Sequence, residues 1–307
     1  MAASSEVHAP LLIGVDWGGS NLRAYLLDAG GTVLERRAAP LAATGIPDGR
    51  HMQISEDIIG DWRARNLPVL VCGMAGARNG WHEVPYAQGP ANAATLAAGL
   101  VEPVAGIWVV PGVRCARDDG GADVMRGEET QVIGALALDP SRVDACVICP
   151  GTHSKWVDVH GGAIACFRSY VTGELFAIIS EAWRRVMGAH TAQPEADAGA
   201  FRRGVRIGAS TPLANALFTL RAGYATRTLP QADMHEYLSG LLIGSEIAAC
   251  RDATDGPGPS LLIGAPELAA RYVEAFATLD LPTPRALDAQ ACVARGLLQV
   301  WNARPSP

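Results

Sequence analysis

Two stretches of this chain repeat one design. The first runs Ile13-Gly14-Val15-Asp16-Trp17-Gly18-Gly19-Ser20-Asn21-Leu22-Arg23, the second Val147-Ile148-Cys149-Pro150-Gly151-Thr152-His153-Ser154-Lys155-Trp156. In each, an apolar strand ends in a polar glycine turn, a second strand returns, and another glycine turn (Gly30-Gly31; Gly161-Gly162) leads into a third strand. Aligning Gly18 with Gly151, 133 residues on, sets Ser20 against His153 and Asn21 against Ser154. A repeat of strand, turn, strand, turn, strand at half-chain spacing predicts two similar domains facing one another. Two such turns can grip the two ends of a polyphosphate, which points to a nucleotide-dependent phosphotransferase.

The length of 307 residues allows about two domains, each with its own core. A net charge of −6 argues against nucleic acid or an anionic membrane as partner. Residues 1–10 lack a signal peptide's apolar run, and Leu238–Cys250 is broken by Ser, Gly and Glu, so no segment reads as spanning a bilayer. Seven scattered cysteines fit a reducing cytoplasm, and Cys146-x-x-Cys149 lies on a buried strand with its sulfurs on opposite faces. Of the 25 basic side chains only Lys155 is a lysine, and it lies within the second motif. Its compact ammonium suits a phosphate oxygen, although chance also explains one residue.

Strands are predicted at 11–16, 22–28, 32–38, Val69–Met74, Gly106–Val110, 143–149, 154–159, 163–170 and Ser260–Ile263. Helices are predicted at 53–65, 90–100, 123–138, 173–188, 211–226, 231–252, from Gly264-Ala265-Pro266-Glu267 to about 277, and at 288–302. Residues 189–200 and Asp255-Gly256-Pro257-Gly258-Pro259 read as loops. Ala291, Ala294 and Gly296 give the last helix a small-residue face for close packing across a domain junction. These elements predict a domain over 10–140, completed by a C-terminal helix at 290–307, and a second over 141–289.

Each motif has a chemical reading and a plain alternative. Gly18 and Gly19 let backbone N–H groups approach phosphate, with Ser20, Asn21 and Arg23 adding donors. Asp16 beside them would repel phosphate directly, so its role is to hold Mg²⁺; the alternative is a turn cap. The second turn has no acid, and Gly151, Thr152, His153 and Lys155 are its phosphate donors; His153 is read equally well as bonded to a backbone carbonyl. Gly264, Ala265 and Pro266 form an adenosine cradle or an ordinary strand-to-helix turn with Pro at the first helical position. Arg126-Gly127-Glu128-Glu129 offers a carboxylate to take a hydroxyl proton, or simply complements a helix dipole. Arg78, Asn79 and Trp81 suit a polyhydroxy acid, or form a surface loop with an anchoring Trp.

Together these residues resemble the sugar-kinase branch of the actin–hexokinase ATPase superfamily, and most closely the 2-dehydro-3-deoxygalactonokinase family. Val15-Asp16-Trp17-Gly18, Gly73-Met74-Ala75-Gly76, Val124–Gln131, Pro150–Trp156, Thr172-Gly173-Glu174-Leu175 and Leu238–Gly244 carry the likeness, which spans roughly 11–301. The resemblance implies an α/β fold of two duplicated ribonuclease H-like domains with a central cleft, the actin-like ATPase fold. It implies ATP- and Mg²⁺-dependent transfer to the 6-hydroxyl of 2-dehydro-3-deoxy-D-galactonate in bacterial galactonate breakdown, and it allows a homo-oligomer. By position in related kinases, Glu128 is the catalytic base, with Glu129 as alternative, and Arg78 contacts the acceptor; Arg23, Arg126 and Arg168 are further candidates for its carboxylate. Three rivals stand: a neutral-sugar kinase of the same fold, a non-catalytic nucleotide-binding sensor, and a Rossmann-type dehydrogenase. The last needs strand-turn-helix where this chain has strand-turn-strand.

Overall fold

A computed structural model describes residues 9–47, 49–117, 119–187, 197–252 and 261–305. The expected loop at 255–259 and most of that at 189–200 lie outside the described residues. The elements are β1 (Pro10–Trp17), β2 (Leu22–Asp28), β3 (Val33–Ala39), α1 (Arg50–Arg63), β4 (Val69–Cys72), β5 (Ala87–Gln88), α2 (Ala93–Ala98), β6 (Val101–Val104), β7 (Ile107–Val109), β8 (Val113–Ala116), β9 (Ala122–Met125) and α3 (Glu128–Leu138). They continue with β10 (Ala145–Cys149), β11 (Ser154–His160), β12 (Ala163–Tyr170), α4 (Thr172–Met187), α5 (Ala198–Ser210), α6 (Leu213–Thr226), α7 (Met234–Asp252), β13 (Leu261–Gly264), α8 (Pro266–Thr278), β14 (Arg285–Asp288) and α9 (Ala289–Asn302).

The duplication is visible in strand order. One sheet runs β3-β2-β1-β4-β7-β6 and another β12-β11-β10-β13-β14, so each half places its hairpin meander beside a strand arriving from farther along the chain. β1 pairs antiparallel with β2 and parallel with β4, while β10 pairs parallel with β13. The C-terminal ends of these parallel strands therefore open beside the two glycine turns. A smaller sheet, β5-β8-β9, completes the set.

The chain divides into two compact units. Unit 1 holds residues up to Asp144, the hairpin tip Asp158–Phe167 and the C-terminal stretch from Leu287; unit 2 holds Ala145–Val157 and Arg168–Ala286. In unit 1 the first sheet buries Ile13, Val15, Leu22, Leu26, Val69 and Val71 against α1, whose inward residues His51, Ser55, Ile59 and Trp62 follow helical spacing. On the same sheet, a Cβ on Gly14 would stand 2.8 Å from Leu297 of α9, so α9 lies close against β1. The small-residue face of α9 meets α3: a Cβ on Gly296 or Gly134 would fall within 2 Å of a carbonyl oxygen, that of Thr130 or Cys292. Its packing is thus internal to unit 1, not across a domain junction.

In unit 2, Phe201, Val205, Ile243, Ile247, Tyr272 and Phe276 cover Ile148, Trp156 and Leu262 of the sheet. α5, unexpected from sequence, crosses α7 at backbone contact. Cβ atoms on Gly204, Gly208, Gly240 and Gly244 would each come within 2.3 Å of a carbonyl oxygen of the facing helix. Among the described residues no helix is long and apolar enough to cross a membrane.

The expected helix over 123–138 begins only at Glu128, because Ala122–Met125 pairs with Val113–Ala116 as an antiparallel ladder. Asp123 and Arg126, both within the expected helix, lie on and just beyond that strand. Buried Asp123 instead accepts a bond from the Val124 amide at 2.8 Å.

Candidate functional site

In unit 1, three chain segments converge at the ends of parallel strands. Asp16, near the end of β1, lies in register with Arg23 across the hairpin and with Cys72 across the parallel ladder. Gly73 follows at φ 88°, and a Cβ there would stand 2.8 Å from the Trp17 carbonyl oxygen and 3.3 Å from an Asp16 carboxylate oxygen. Gly127, at φ 111°, brings the start of α3 against Gly73: its own Cβ would lie 3.3 Å from the Gly73 Cα. Both glycines adopt backbone that L side chains avoid, so the close approach of β1, β4 and α3 is written in the sequence.

That approach gathers carboxylates. Asp16 is half-buried, and burial pushes its pKa up to about 6 against the pull of Arg23, with the negative charge of Glu128 adding to the rise. The nearest cationic group shown is Arg23 Nη1, 3.6 Å from Asp16 Oδ2. Glu128 is half-buried and accepts from the Arg126 amide at 3.1 Å. Glu129 is wholly buried; it accepts from the Gly127 amide at 2.6 Å and from Thr130 Oγ1 at 3.0 Å. Burial first, and Glu128 second, raise its pKa to about 7. The exposed turn residues Gly19, Ser20 and Asn21 stand beside this cluster, with Gly18 donating to the Asn21 carbonyl at 2.9 Å.

The segment after β4 carries the expected acceptor residues. Arg78 is 88% exposed and stands 3.6 Å from Glu83, and Asn79 is exposed too. Trp81 is half-buried, edge-on to Trp17 at 6.0 Å between ring centres and parallel to His51 at 6.3 Å. Arg126 lies 4.3 Å over the Tyr86 ring and donates Nη2 to the Val84 carbonyl at 2.7 Å, while its buried Nε and Nη1 have no hydrogen-bond partner among the described residues. This guanidinium bridges the acceptor segment to the start of α3, a link the sequence did not announce.

In unit 2, the turn after β10 is braced by the start of α4. The Glu174 amide donates to the Thr152 carbonyl at 2.9 Å, and His153 Nε2 donates to the Glu174 carboxylate at 2.8 Å. A Cβ on Gly173 would be 2.3 Å from the Gly151 carbonyl oxygen. Thr152 and His153 are exposed. Lys155, expected as an open phosphate donor, is buried and its Nζ donates to Ser169 Oγ at 2.6 Å. As the second residue of β11 it reaches across to β12 and does not stand open at the turn. Arg168 is half-buried on β12.

Gly264 lies at the end of β13, where its Cβ would be 3.6 Å from Pro150, so the expected adenosine loop and the second turn are neighbours. A pocket of about 350 Å³ adjoins the turn, lined by Gly151, Thr152, His235, Ser239, Leu268 and Arg271 among others. Its α8 wall comes from Leu268, Arg271 and Tyr272, not from Gly264, Ala265 and Pro266. Arg271 is gripped by Glu236 through bonds of 2.7 and 2.8 Å and reaches Ser239 at 3.3 Å. Sequence reasoning missed these residues; Leu238–Gly244 stood out only as part of a family likeness.

Duplicated sheets with a glycine turn at the end of the first strand of each give the α/β fold of the actin-like ATPases, and in unit 1 a carboxylate opens the helix beside that turn. The 2-keto-3-deoxy-galactonokinase family profile matches residues 16–300, and the chain belongs to that family. It is 38% identical over 265 residues to the 2-dehydro-3-deoxygalactonokinase of Escherichia coli K12, covering 86% of this chain and 88% of that one. A crystal structure of a candidate 2-dehydro-3-deoxygalactonokinase from Sinorhizobium meliloti superposes with a TM-score of 0.82 at 34% identity, over 95% of this chain and 98% of that one. The activator of the Clostridium difficile 2-hydroxyisocaproyl-CoA dehydratase, with bound ADPNP, shares the fold alone. Its TM-score is 0.53 at 10% identity, over 95% of each chain.

Proposed function

We propose that this chain transfers the terminal phosphoryl group of ATP to the 6-hydroxyl of 2-dehydro-3-deoxy-D-galactonate. The observation that carries the reading is Glu128: a half-buried carboxylate at the first residue of α3, tethered by the Arg126 amide and electrostatically coupled to Asp16. Such a group can accept the acceptor's proton and aim its oxygen at phosphorus. Buried Glu129 fixes the first turn of α3 and leaves the proton transfer to Glu128.

Asp16 and Glu128 together are a hard-oxygen donor set, and burial holds the Asp16 carboxyl well above its ordinary range. That chemistry fits Mg²⁺, with Asp16 as the holding residue. The ion would supply positive charge to the phosphate oxygens. Gly18, Gly19, Ser20, Asn21 and Arg23 of unit 1, and Gly151, Thr152 and His153 of unit 2, donate to phosphate. Lys155 adds positive charge from behind its turn. The pocket lined by His235, Ser239 and Arg271 takes the nucleobase, with Gly264, Ala265 and Pro266 at its approach. Arg78 meets the acid's carboxylate, Asn79 its hydroxyls and Trp81 its carbon face, while Arg126 holds their segment beside Glu128.

An ADP-release assay across keto-deoxy sugar acids and neutral hexoses tests the substrate. Turnover is expected with the galacto acid; equal turnover with a neutral hexose overturns the reading. Glu128→Gln should lower kcat by about 10²–10⁴-fold while ATP binding persists. Wild-type turnover in that variant removes Glu128 from the mechanism.

A further inference from the structure

One buried carboxylate in unit 2 has no part in the roles above. Glu246 follows Ser245 in an otherwise uncharged, mostly apolar stretch of α7, Leu241–Ala249, and is 3% exposed. Trp156 Nε1 donates to its Oε1 at 2.8 Å, the Tyr272 hydroxyl reaches its two oxygens at 3.0 and 2.9 Å, and Thr172 Oγ1 donates to Oε2. Ser154 Oγ joins the same network, 3.0 Å from the Tyr272 hydroxyl. A buried carboxylate held, among the described residues, by neutral donors is expensive to keep, and removing one side of such a network leaves orphaned donors.

The donors are not scattered. Ser154 and Trp156 belong to β11, the strand that leaves the second glycine turn, and Thr172 opens α4, whose next two residues pack on that turn. Gly173 lies against the Gly151 carbonyl, and Glu174 binds both the Thr152 carbonyl and His153. Tyr272 and Thr172 also line the pocket beside the turn, while Glu246 does not. We infer that Glu246 is a positioning residue for the nucleotide: it ties β11, α4 and α8 together, and so sets the geometry of the Gly151–Ser154 turn without touching the ligand. Thr172, Gly173 and Glu174 divide the work: the hydroxyl serves the hub, the glycine permits contact, and the acid orients His153. The inference rests on the reading that this turn holds phosphate.

Steady-state kinetics on the full chain test it, with thermal unfolding measured alongside. Glu246→Leu should raise the KM for ATP about tenfold and leave the KM for the sugar acid within about twofold. Glu246→Gln still accepts from Trp156 and can donate to the Thr172 hydroxyl, so it should restore the ATP KM to within about threefold of wild type. Should the Leu variant not fold, Trp156→Phe strips one donor from the same carboxylate at a distance from the turn, and a roughly threefold rise in ATP KM is expected. A lowered Tm with an unchanged ATP KM in these variants, or equal changes in both KM values, overturns the inference and leaves Glu246 a stability residue. His153→Ala separates the two layers. If it raises the ATP KM while the Glu246 and Trp156 variants do not, the inference alone falls; if it too leaves ATP binding intact, the assignment of the turn falls as well.

Discussion

Glu128 and Glu129 begin the same helix in different surroundings. Consecutive helical residues point about 100° apart, so one side chain stays at the strand-end cluster and the next turns into the core beneath Gly127. Sequence offered both as the base, because adjacent carboxylates look alike until burial separates them. The pKa of Glu129, raised from 4.5 to about 7 by burial and by Glu128, has a measurable consequence. Between those values the folded protein binds more protons than the unfolded chain, so stability falls as pH rises from about 4.5 through 7. Glu129→Gln removes that titration while keeping a carbonyl to accept from Gly127 and an amide to meet Thr130. In chelator and without nucleotide, chemical denaturation should show wild type losing on the order of 2 kcal/mol relative to this variant between pH 5 and 8. Parallel pH profiles for the two proteins would mean that Glu129 titrates near its ordinary range. Lys155 teaches a similar lesson: its rarity drew attention, but β11 is buried on both faces at its start, and the ammonium is taken up by Ser169.

At the scale of elements, regular patterns were legible and context-dependent ones were not. The strands β1, β2, β11 and β12, bounded by glycine turns, and the long helices α1, α4, α7, α8 and α9 lie close to where the sequence pattern put them. β5 and β14 are short and pair with strands distant in sequence, and the β8–β9 hairpin is too brief for local periodicity to register. α5 went unseen because Gly204 and Gly208 lower helix propensity, while their purpose, contact with α7, is tertiary. That purpose is open to test. In Gly240→Ala the new methyl would fall 2.0 Å from the Phe201 carbonyl oxygen, a backbone atom that cannot swing aside. The helices must separate, at about 3 kcal/mol or more. The urea midpoint should drop with the slope unchanged; a midpoint equal to wild type would show that α5 and α7 slide apart freely.

For the whole molecule, the half-chain repeat read from two glycine turns reappears as a shared strand order, β3-β2-β1-β4 and β12-β11-β10-β13. What sequence could not show is that the β11–β12 hairpin tip, Asp158–Phe167, groups with unit 1 while its base belongs to unit 2. Such a grouping depends on which surface a hairpin tip meets, and no local pattern encodes that. The proposed roles are also divided: acceptor and base residues lie in unit 1, base-pocket residues and Glu246 in unit 2. A ligand that binds only the native state stabilises the elements it touches. Amide hydrogen exchange should therefore respond in two separable patterns. The sugar acid alone should slow exchange over 74–86 and 122–130, the segments joined by Arg126 and Val84. A non-hydrolysable ATP analogue alone should slow it over 151–156, 172–176 and 235–246, following the turn, the start of α4 and the Glu246 face of α7. Protection by the sugar acid centred on α7, or by the nucleotide centred on 74–86, would reverse the assignment of the two units.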